Sequence, residues 1–423
     1  MYENYKTKNG LKVLASRMPH MSSISLGIWI GVGGRYESKK QSGISHLVEH
    51  MLFKGTYLRT AKELKEAIEG VGGAFNGFTS DEVTCYMVKV PSEYVELGVD
   101  ILSDMVLNAK FEQEDLLKEK YVVCEEIKMY RDQPSEHVVD VLNEIMWPNN
   151  ALGRPLTGTS ETVKKLTMDD LKKFKETYYH PANIAVVAAG NVNVKKFFNY
   201  VSAKFEKIQK KQNFSFESPK IRQNKVNFKV CRENIKQTHI AMGFHAEDRT
   251  EREKFAIKLM NIIFGGNMSS RLFEELREKY GLCYDISSSY KRHSDKGEIH
   301  IHAGVDSKKA VRSVIAILDE IKRIRDLGVT EEELQRAKKY TKGQFLLAME
   351  ATSSRMLWLG DRTIVHKRIP KVKDVIKNID AVRVDDIEKV CKNIFKHSLA
   401  NLSMVGKLAD SERKKIKKEL NML

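Results

Sequence analysis

The sequence HLVEHMLFKG, residues 46–55, brings two histidines and a glutamate together at a spacing that suits a metal site. Residues four apart on a helix lie on the same face, so His46 and His50 can hold one ion while Glu49 lies beside it. The other residues are mostly apolar, which predicts a buried helix whose polar side chains need partners. Zinc is the partner that this residue set favours. The alternative is that two core histidines fall four apart by chance; with 12 histidines in the chain, that has a probability of roughly a few per cent.

The length and charge of the chain restrict the class of protein. At 423 residues the chain exceeds what one hydrophobic core usually supports, which predicts two or three domains. The net charge is +16, but 56 acidic residues are interspersed with the 72 lysines and arginines. This mixture favours a solvated, lysine-rich surface over a nucleic-acid-binding face, since no binding module accompanies the charge. We therefore expect no nucleic-acid partner.

Cysteine usage and hydropathy indicate a compartment. The five cysteines are far apart and form no Cys-x-x-Cys pair, which predicts free thiols in a reducing compartment: Cys85, Cys124, Cys231, Cys283 and Cys391. The first six residues lack the apolar region of a signal peptide, and no stretch approaches the ~20 apolar residues of a spanning helix. The sequence predicts a soluble, cytoplasmic protein without a membrane partner.

Apolar periodicity places strands and helices around the His46 helix. Residues 10–18 and 23–32 alternate as two neighbouring strands, and Ser42 or Ser45 is expected to cap the helix that follows. The remaining pattern of the first half predicts strands at 83–90 and 184–189 and helices at 61–69, 92–107, 112–131, 135–146 and 168–179.

The predicted helix 112–131 offers a third metal ligand. Glu126 shares its face with Glu119, two turns earlier, and the rest of that face is an apolar stripe made of Val122, Val123, Met129 and Tyr130. Ionised carboxylates on a buried stripe are costly unless a cation or strong donors meet them. Glu126 is therefore the candidate ligand and Glu119 a supporting residue, whereas Glu125 is expected in solvent. The alternative is that both carboxylates pair with lysines.

These residues carry a resemblance to a known family. His46-x-x-Glu49-His50, followed 76 residues later by Glu126, resembles the inverted zinc-peptidase signature of the pitrilysin/insulinase family. Further stretches resemble its small bacterial processing-protease branch and the beta subunit of mitochondrial processing peptidase: 46–56, 72–86, 119–132, 151–161 and 178–192.

The resemblance implies an activity and a role for each residue of the motif. His46, His50 and Glu126 would hold one Zn²⁺ per chain, and Glu49 would take a proton from the attacking water and deliver it to the leaving amine. Glu119 matches the family's supporting glutamate. The chain would then be a zinc metalloendopeptidase.

The second half of the chain repeats the first. After a predicted linker at 206–225, residues 329–334 align with 111–116 and have similar helices around them. We predict an α+β fold of two homologous half-domains, 1–205 and 226–423, each a mostly antiparallel sheet with helices packed on one side. In this alignment Glu119 falls on Ala337 and Glu126 on Gln344, so the second half lacks the ligands.

By resemblance, other residues would contact the substrate. Arg277 and Tyr284 match the family's Arg-x6-Tyr element, in which the tyrosine donates to the oxyanion and the arginine holds substrate backbone. Without the resemblance they would be ordinary surface residues. The stretch that matches the family's edge strand would add an extended peptide through main-chain hydrogen bonds: Phe75, Asn76, Gly77, Phe78 and Thr79.

The number of half-domains bears on assembly. Long family members join four half-domains and this chain has two, so we expect a homodimer in which Arg277 and Tyr284 reach the zinc of the other protomer. A heterodimer with a non-catalytic homologue is one alternative. Another is a catalytically silent scaffold, like the respiratory-complex core subunits that resemble the family. The sequence leaves open the natural substrate, the cleavage preference, the metal used in the cell and whether Arg277 and Tyr284 act in cis or in trans.

Overall fold

The computed structural model describes residues 2–209, 211, 215–246 and 250–423, so residues 210 and 212–214 of the predicted linker lie outside the described residues. The strands are β1 (Glu3–Lys6), β2 (Lys12–Arg17), β3 (Ser23–Ile30), β4 (Ala74–Thr79), β5 (Thr84–Pro91), β6 (Ile184–Gly190), β7 (Asn227–Arg232), β8 (Gln237–His245), β9 (Cys283–Arg292), β10 (Gly297–Asp306) and β11 (Asn401–Gly406).

The α-helices of the first half are α1 (Ile44–Leu52), α2 (Ala61–Glu69), α3 (Val95–Asn108), α4 (Gln113–Arg131), α5 (Pro134–Met146), α6 (Ser160–Lys165), α7 (Met168–Tyr178) and α8 (Val194–Phe205). Those of the second half are α9 (Glu251–Phe264), α10 (Ala310–Leu327), α11 (Glu331–Ala348), α12 (Thr352–Ile364), α13 (Val372–Asp380), α14 (Val384–Ile394) and α15 (Asp410–Leu420). Within the described residues, no helix combines the length and the apolar character needed to cross a membrane.

Two mostly antiparallel sheets organise the chain. The first has the order β1-β2-β6-β3-β5-β4 and the second the order β7-β11-β8-β10-β9. In each sheet a single pair is parallel, β2 with β6 and β7 with β11. The predicted fold class is confirmed by these sheets and by the solved structures that share the fold.

Both faces of the first sheet are buried. On β3, Ile24, Leu26 and Ile28 belong to a large core with helices of the first half, whereas Trp29 belongs to a smaller core on the opposite face. The two faces of β3 differ in character, since one carries Ile24, Leu26 and Ile28 and the other carries Ser25 and Gly27 beside Trp29. The second face is covered by a helix as well, whereas the sequence predicted helices on one side of the sheet only.

That helix comes from the second half of the sequence. The chain divides into two compact units: Met1–Lys128, Arg154–Glu217 and Leu346–Ile369 form unit 1, and Met129–Gly153, Ser218–Phe345 and Pro370–Leu423 form unit 2. Unit 1 contains α12, which packs on β3 and β6, and unit 2 contains α5, which packs on β8 and β11. The division into homologous halves 1–205 and 226–423 stays a prediction. Relative to these halves, each compact unit contains one helix from the other half: α12 in unit 1 and α5 in unit 2.

Glycines make room for the exchanged helices. A Cβ on Gly27 of β3 would lie 2.5 Å from the sulfur of Met356 on α12, and a Cβ on Gly360 of α12 would overlap the Trp29 ring. In unit 2, Gly243 of β8 lies in the same way against Met146 of α5. The missing side chains therefore let each helix lie close to its sheet.

Removing the Met356 side chain should destabilise unit 1. Met356 is 1% exposed and packs against β3, so Met356→Ala is expected to lower the free energy of unfolding by about 2–5 kcal/mol. Urea unfolding measures this change. Met268→Ala is the control because Met268 is 71% exposed, and equal stability of the two variants would contradict this packing of α12.

Candidate metal centre

Helices α1 and α4 bring the three predicted metal ligands together. Nε2 of His46 and Nε2 of His50 each lie 3.7 Å from Oε2 of Glu126. The three ligand atoms all lie within 4.8 Å of one another. In the part of the chain that the structure describes, no other group of three or more histidine, cysteine, aspartate or glutamate side chains converges in this way.

The geometry of this group fits zinc. Separations of 3.7 Å are too long for hydrogen bonds. Zinc bonds of about 2.0–2.1 Å in a tetrahedral arrangement place neighbouring ligand atoms about 3.4 Å apart. The distance of 3.7 Å from each imidazole nitrogen to the Glu126 carboxylate is close to this value. Two imidazoles and one carboxylate are also a ligand set of catalytic zinc sites, which keep a fourth position open.

Glu119 fixes the orientation of His50. Its Oε2 lies 2.9 Å from Nδ1 of His50, and its Oε1 pairs with the ammonium of Lys54 at 2.5 Å. Burial acts to raise the pKa of Glu119, but the His50 and Lys54 hydrogen bonds outweigh it and hold that pKa below its usual value. An ionised Glu119 places the proton of His50 on Nδ1 and leaves Nε2 free for a metal.

The two histidines titrate differently in the metal-free protein. Burial, helped by the nearby His50, lowers the pKa of His46 to about 4, so His46 is neutral at pH 7 and offers its lone pair. Burial acts in the same direction on His50, but the Glu119 hydrogen bond and the surrounding carboxylates raise its pKa.

The lowered pKa of His46 predicts a pH-dependent stability. Between the unfolded pKa of about 6.5 and the folded pKa of about 4, the unfolded chain binds more protons, so stability falls as the pH decreases through this window. One such group contributes at most about 1.4 kcal/mol per pH unit. Thermal unfolding of the metal-free protein between pH 7 and 5 measures the slope, which His46→Asn should reduce. The exposed His20→Asn is the control, and an unchanged slope in His46→Asn would refute the assignment.

The start of α1 is fixed differently from the prediction. Neither Ser42 nor Ser45 caps the helix with its side chain; the cap residue is Gly43, with a φ of 94°. The carboxylate of Glu37 instead accepts hydrogen bonds from the backbone N–H groups of Gly43 and Ser45, both at 2.8 Å. Burial raises the pKa of Glu37 to about 7, against these hydrogen bonds. A carboxylate at the positive end of the helix thus anchors the element that carries both histidines.

Glu49 lies beside the three ligands and touches strand β4. Its Oε2 accepts a hydrogen bond from Oγ1 of Thr79 at 2.6 Å, and the residue is 9% exposed. Burial raises the pKa of Glu49, while the Thr79 hydrogen bond acts in the opposite direction. A raised pKa is what a carboxylate needs to accept and return a proton near neutral pH.

The face of α4 that carries Glu126 is less buried than predicted. Glu119 and Val123 are buried, but Val122 is 45% and Met129 47% exposed, so the apolar stripe was wrong at these two positions. The Glu126 side chain is 22% exposed, open enough for a substrate or a water to reach it. The prediction for the neighbouring Glu125 is confirmed, since it pairs with Lys128 in solvent.

The structure brings Arg277 and Tyr284 together within unit 2. Arg277 lies on a π-helix, Phe273–Lys279, and its guanidinium carbon is 5.2 Å from the centre of the Tyr284 ring. Tyr284 stands on β9, at an edge of the second sheet, and is 79% exposed. Such a pair suits binding a carbonyl or peptide backbone, and the predicted substrate role of these two residues stays a prediction.

The predicted substrate strand forms β4, at an edge of the first sheet. Alternate residues of β4 meet α1 or Phe53, the residue that follows it: the Phe75 ring is 5.3 Å from that of Phe53, Gly77 lies against Phe53 and Glu49, and Thr79 binds Glu49. Asn76 and Phe78 belong to the opposite face. The place of β4 suits strand addition, and the role of residues 75–79 in binding substrate stays a prediction.

Comparison with known proteins assigns the family. Residues 12–160 match the model described as insulinase (peptidase family M16), and residues 165–340 match the peptidase M16 inactive domain. The uncharacterized zinc protease YmxG of Bacillus subtilis is 32% identical to this chain over 416 residues, which cover 96% of this chain and 100% of that protein. The chain therefore belongs to the insulinase family of peptidases, family M16. The predicted family is confirmed.

Solved structures share the fold across the whole chain. A protease from Helicobacter pylori superposes with a TM-score of 0.89 and 22% identity, covering 96% of this chain and 99% of that one. A chain of complex III2 from Candida albicans, solved with Inz-5 bound, gives a TM-score of 0.84 with 18% identity and covers 99% of both chains. At these identities the two structures support the fold alone, and the relatives named as zinc proteases support a peptidase function that uses zinc.

Two residues of the site, Lys54 and Glu37, and the contact between Thr79 and Glu49 were missed in the sequence. Lys54 lies four positions after His50, so the helical spacing could have indicated it. Glu37 and the contact between Thr79 and Glu49 gave no comparable signal, since both depend on how distant segments pack.

Proposed function

We propose that the protein is a zinc-dependent endopeptidase that cleaves extended peptides or unfolded segments inside a closed chamber. One observation carries the proposal: the ligand atoms of His46, His50 and Glu126 converge within 4.8 Å, and Glu49 lies on the same helix as the two histidines. Two half-buried histidines and a half-buried glutamate that make no hydrogen bonds to one another have little structural value without an ion.

Each residue has a chemical role in this proposal. His46, His50 and Glu126 would hold the zinc, which when bound would acidify a water and polarise the scissile carbonyl. Glu49 accepts the proton of the attacking water and passes it to the leaving amine. Glu119 keeps His50 in the required tautomer, and Tyr284 and Arg277 of the other protomer would bind the developing oxyanion and the substrate backbone.

The substrate class follows from strand β4. An exposed strand edge binds an extended chain through main-chain hydrogen bonds, which read the backbone more than the side chains. Residues 75–79 would therefore accept peptides of many sequences, provided that they are unfolded. This breadth suits degradation or trimming of peptides better than recognition of one folded partner.

The proposal includes one zinc per chain, a homodimer and a cytoplasmic location. A chain with two half-domains needs a second chain to close a chamber, and an identical copy is the simplest source. All five cysteines are free, which fits a reducing compartment. A heterodimer with a non-catalytic homologue is the alternative assembly, and sedimentation equilibrium of the purified chain distinguishes the two.

A second candidate is a silent scaffold of the same fold. The likeness to a chain of complex III2 favours it, because a member of that complex has the same architecture over its full length. The converging ligands argue against it, since a scaffold gains nothing from a metal site beside a held carboxylate.

The test is cleavage of a mixed pool of peptides of ~10–30 residues, followed by mass spectrometry, with the protein as purified, after chelation, and after return of zinc. We expect cleavage to stop on chelation and to return with about one zinc per chain. Cleavage that survives chelation would point to a contaminating protease. Failure of the zinc-loaded protein to cut any peptide would favour the scaffold.

A further inference from the structure

Strand β4 makes a polar contact with Glu49 that has no role in the catalytic steps proposed for this protein. Thr79 is the last residue of β4, and its hydroxyl reaches across to α1 and donates to Oε2 of Glu49 at 2.6 Å. A hydroxyl that donates to a carboxylate at this distance makes a charge-assisted hydrogen bond, the stronger class of such bonds. The contact therefore restricts where the Glu49 carboxylate can lie.

Gly77 of the same strand fits the other carboxylate oxygen. A Cβ on Gly77 would lie 3.0 Å from Oε1 of Glu49 and equally close to the Phe53 ring. This is tighter than ordinary van der Waals contact, so a side chain here would press on the carboxylate. The glycine thus leaves room for Oε1 while Thr79 binds Oε2.

The strand itself is well fixed. Thr79 pairs with Thr84 of β5 and Gly77 pairs with Tyr86, which is fully buried. Phe78, on the opposite face of β4, packs edge-on against Trp29 at 5.6 Å between ring centres. Glu49 is therefore hydrogen-bonded to a strand that is fixed by its pairing with β5 and by the packing of Phe78.

We infer that Thr79 is the positioning residue for the proton-accepting Glu49 and gives the two carboxylate oxygens separate tasks. Oε2 is held by the Thr79 hydroxyl, and Oε1 is the oxygen left to exchange the proton between the attacking water and the leaving amine. This inference rests on the proposed function. It adds that β4, predicted to bind the substrate, also orients the catalytic base.

Thr79→Val removes the hydroxyl and keeps the branched shape that suits a strand. We expect kcat to fall about 10- to 100-fold, the usual effect of removing a partner that orients a reacting group. KM and the zinc content should stay near those of the unaltered protein, because an interaction lost mainly in the transition state lowers kcat alone. Thr79→Ser keeps the donor and should restore most of the activity.

Thr84→Val is the matched control. Thr84 lies directly opposite Thr79 in the sheet, and its hydroxyl donates to the carbonyl oxygen of Val32 rather than to Glu49. The same substitution here tests what the loss of a hydroxyl does to the sheet itself. Thermal unfolding of all three variants shows whether each one folds.

Crystal structures of Thr79→Val and of the unaltered protein give a readout apart from activity. We expect the Glu49 carboxylate to turn or to lose order when the hydroxyl is absent. The inference is overturned if Glu49 keeps its position in Thr79→Val, if kcat is unchanged, or if Thr79→Ser loses as much activity as Thr79→Val. If even the unaltered protein cuts no peptide, the proposed function fails, and the crystal structures alone decide whether Thr79 positions Glu49.

Discussion

Glu49→Gln is expected to abolish peptide cleavage while the protein keeps its zinc. The amide has the shape of the carboxylate and can still meet Thr79, but it cannot accept a proton from water at neutral pH. Loss of a general base typically lowers the rate by a factor of 100 to 10,000, and we expect about 1,000-fold or more here because Glu49 serves both proton transfers. Turnover of a fluorogenic peptide, measured beside the zinc content of the same sample, tests this.

Glu125→Gln is the control for that measurement. Glu125→Gln is the same chemical change, made on α4 one residue before the predicted ligand Glu126. The Glu125 side chain, however, pairs with Lys128 in solvent. Its turnover should equal that of the unaltered protein. If Glu49→Gln keeps more than a tenth of the activity, another group must accept the proton, and the proposed role of Glu49 is wrong.

Glu126→Ala should lose the metal itself. Four-ligand structural zinc sites bind with about 10–16 kcal/mol, roughly 3 kcal/mol for each ligand, so removing one of three protein ligands should weaken zinc binding by about two orders of magnitude. Competition with a chromophoric chelator gives the affinity. The expected result is a variant that loses zinc on dialysis and cuts no peptide, although it stays folded.

The comparison for this variant is Glu125→Ala, one residue earlier on the same helix. Because Glu125 and Lys128 are exposed, this change should leave zinc affinity and cleavage unaltered. Equal affinities of Glu126→Ala and Glu125→Ala would remove Glu126 from the ligand set. Together with Glu49→Gln, the pair separates loss of the metal from loss of the base.

The candidate site could be predicted mostly because its residues follow local spacing. His46, Glu49 and His50 lie on one turn of a helix, and Glu126 stood out as a carboxylate on a partly apolar face. The structure places the three ligands together, as their spacing and the family resemblance predicted. The extent of burial was harder to predict: Val122 and Met129 are exposed, and apolar character alone does not show what covers a residue.

Contacts between distant segments set the limit of prediction. Glu37 caps α1 from six residues before the cap position, so the nearby serines were the natural but wrong choice. The fold class could be predicted from the alternation of apolar residues and from the duplication. The exchange of α5 and α12 could not be predicted, because an apolar helix face such as that of Val138 and Leu142 fits either of two similar sheets.

The exchange of α5 and α12 makes the two repeats depend on each other. With residues 111–116 aligned on 329–334, α5 corresponds to α12, and each of the two packs on the sheet of the other repeat. A chain with a single repeat would have had either to pack this helix on its own sheet or to exchange it with a second copy. In the present chain each of the two helices is held by the sheet of the other repeat. A chain cut between its repeats should therefore stay in one piece until it is denatured.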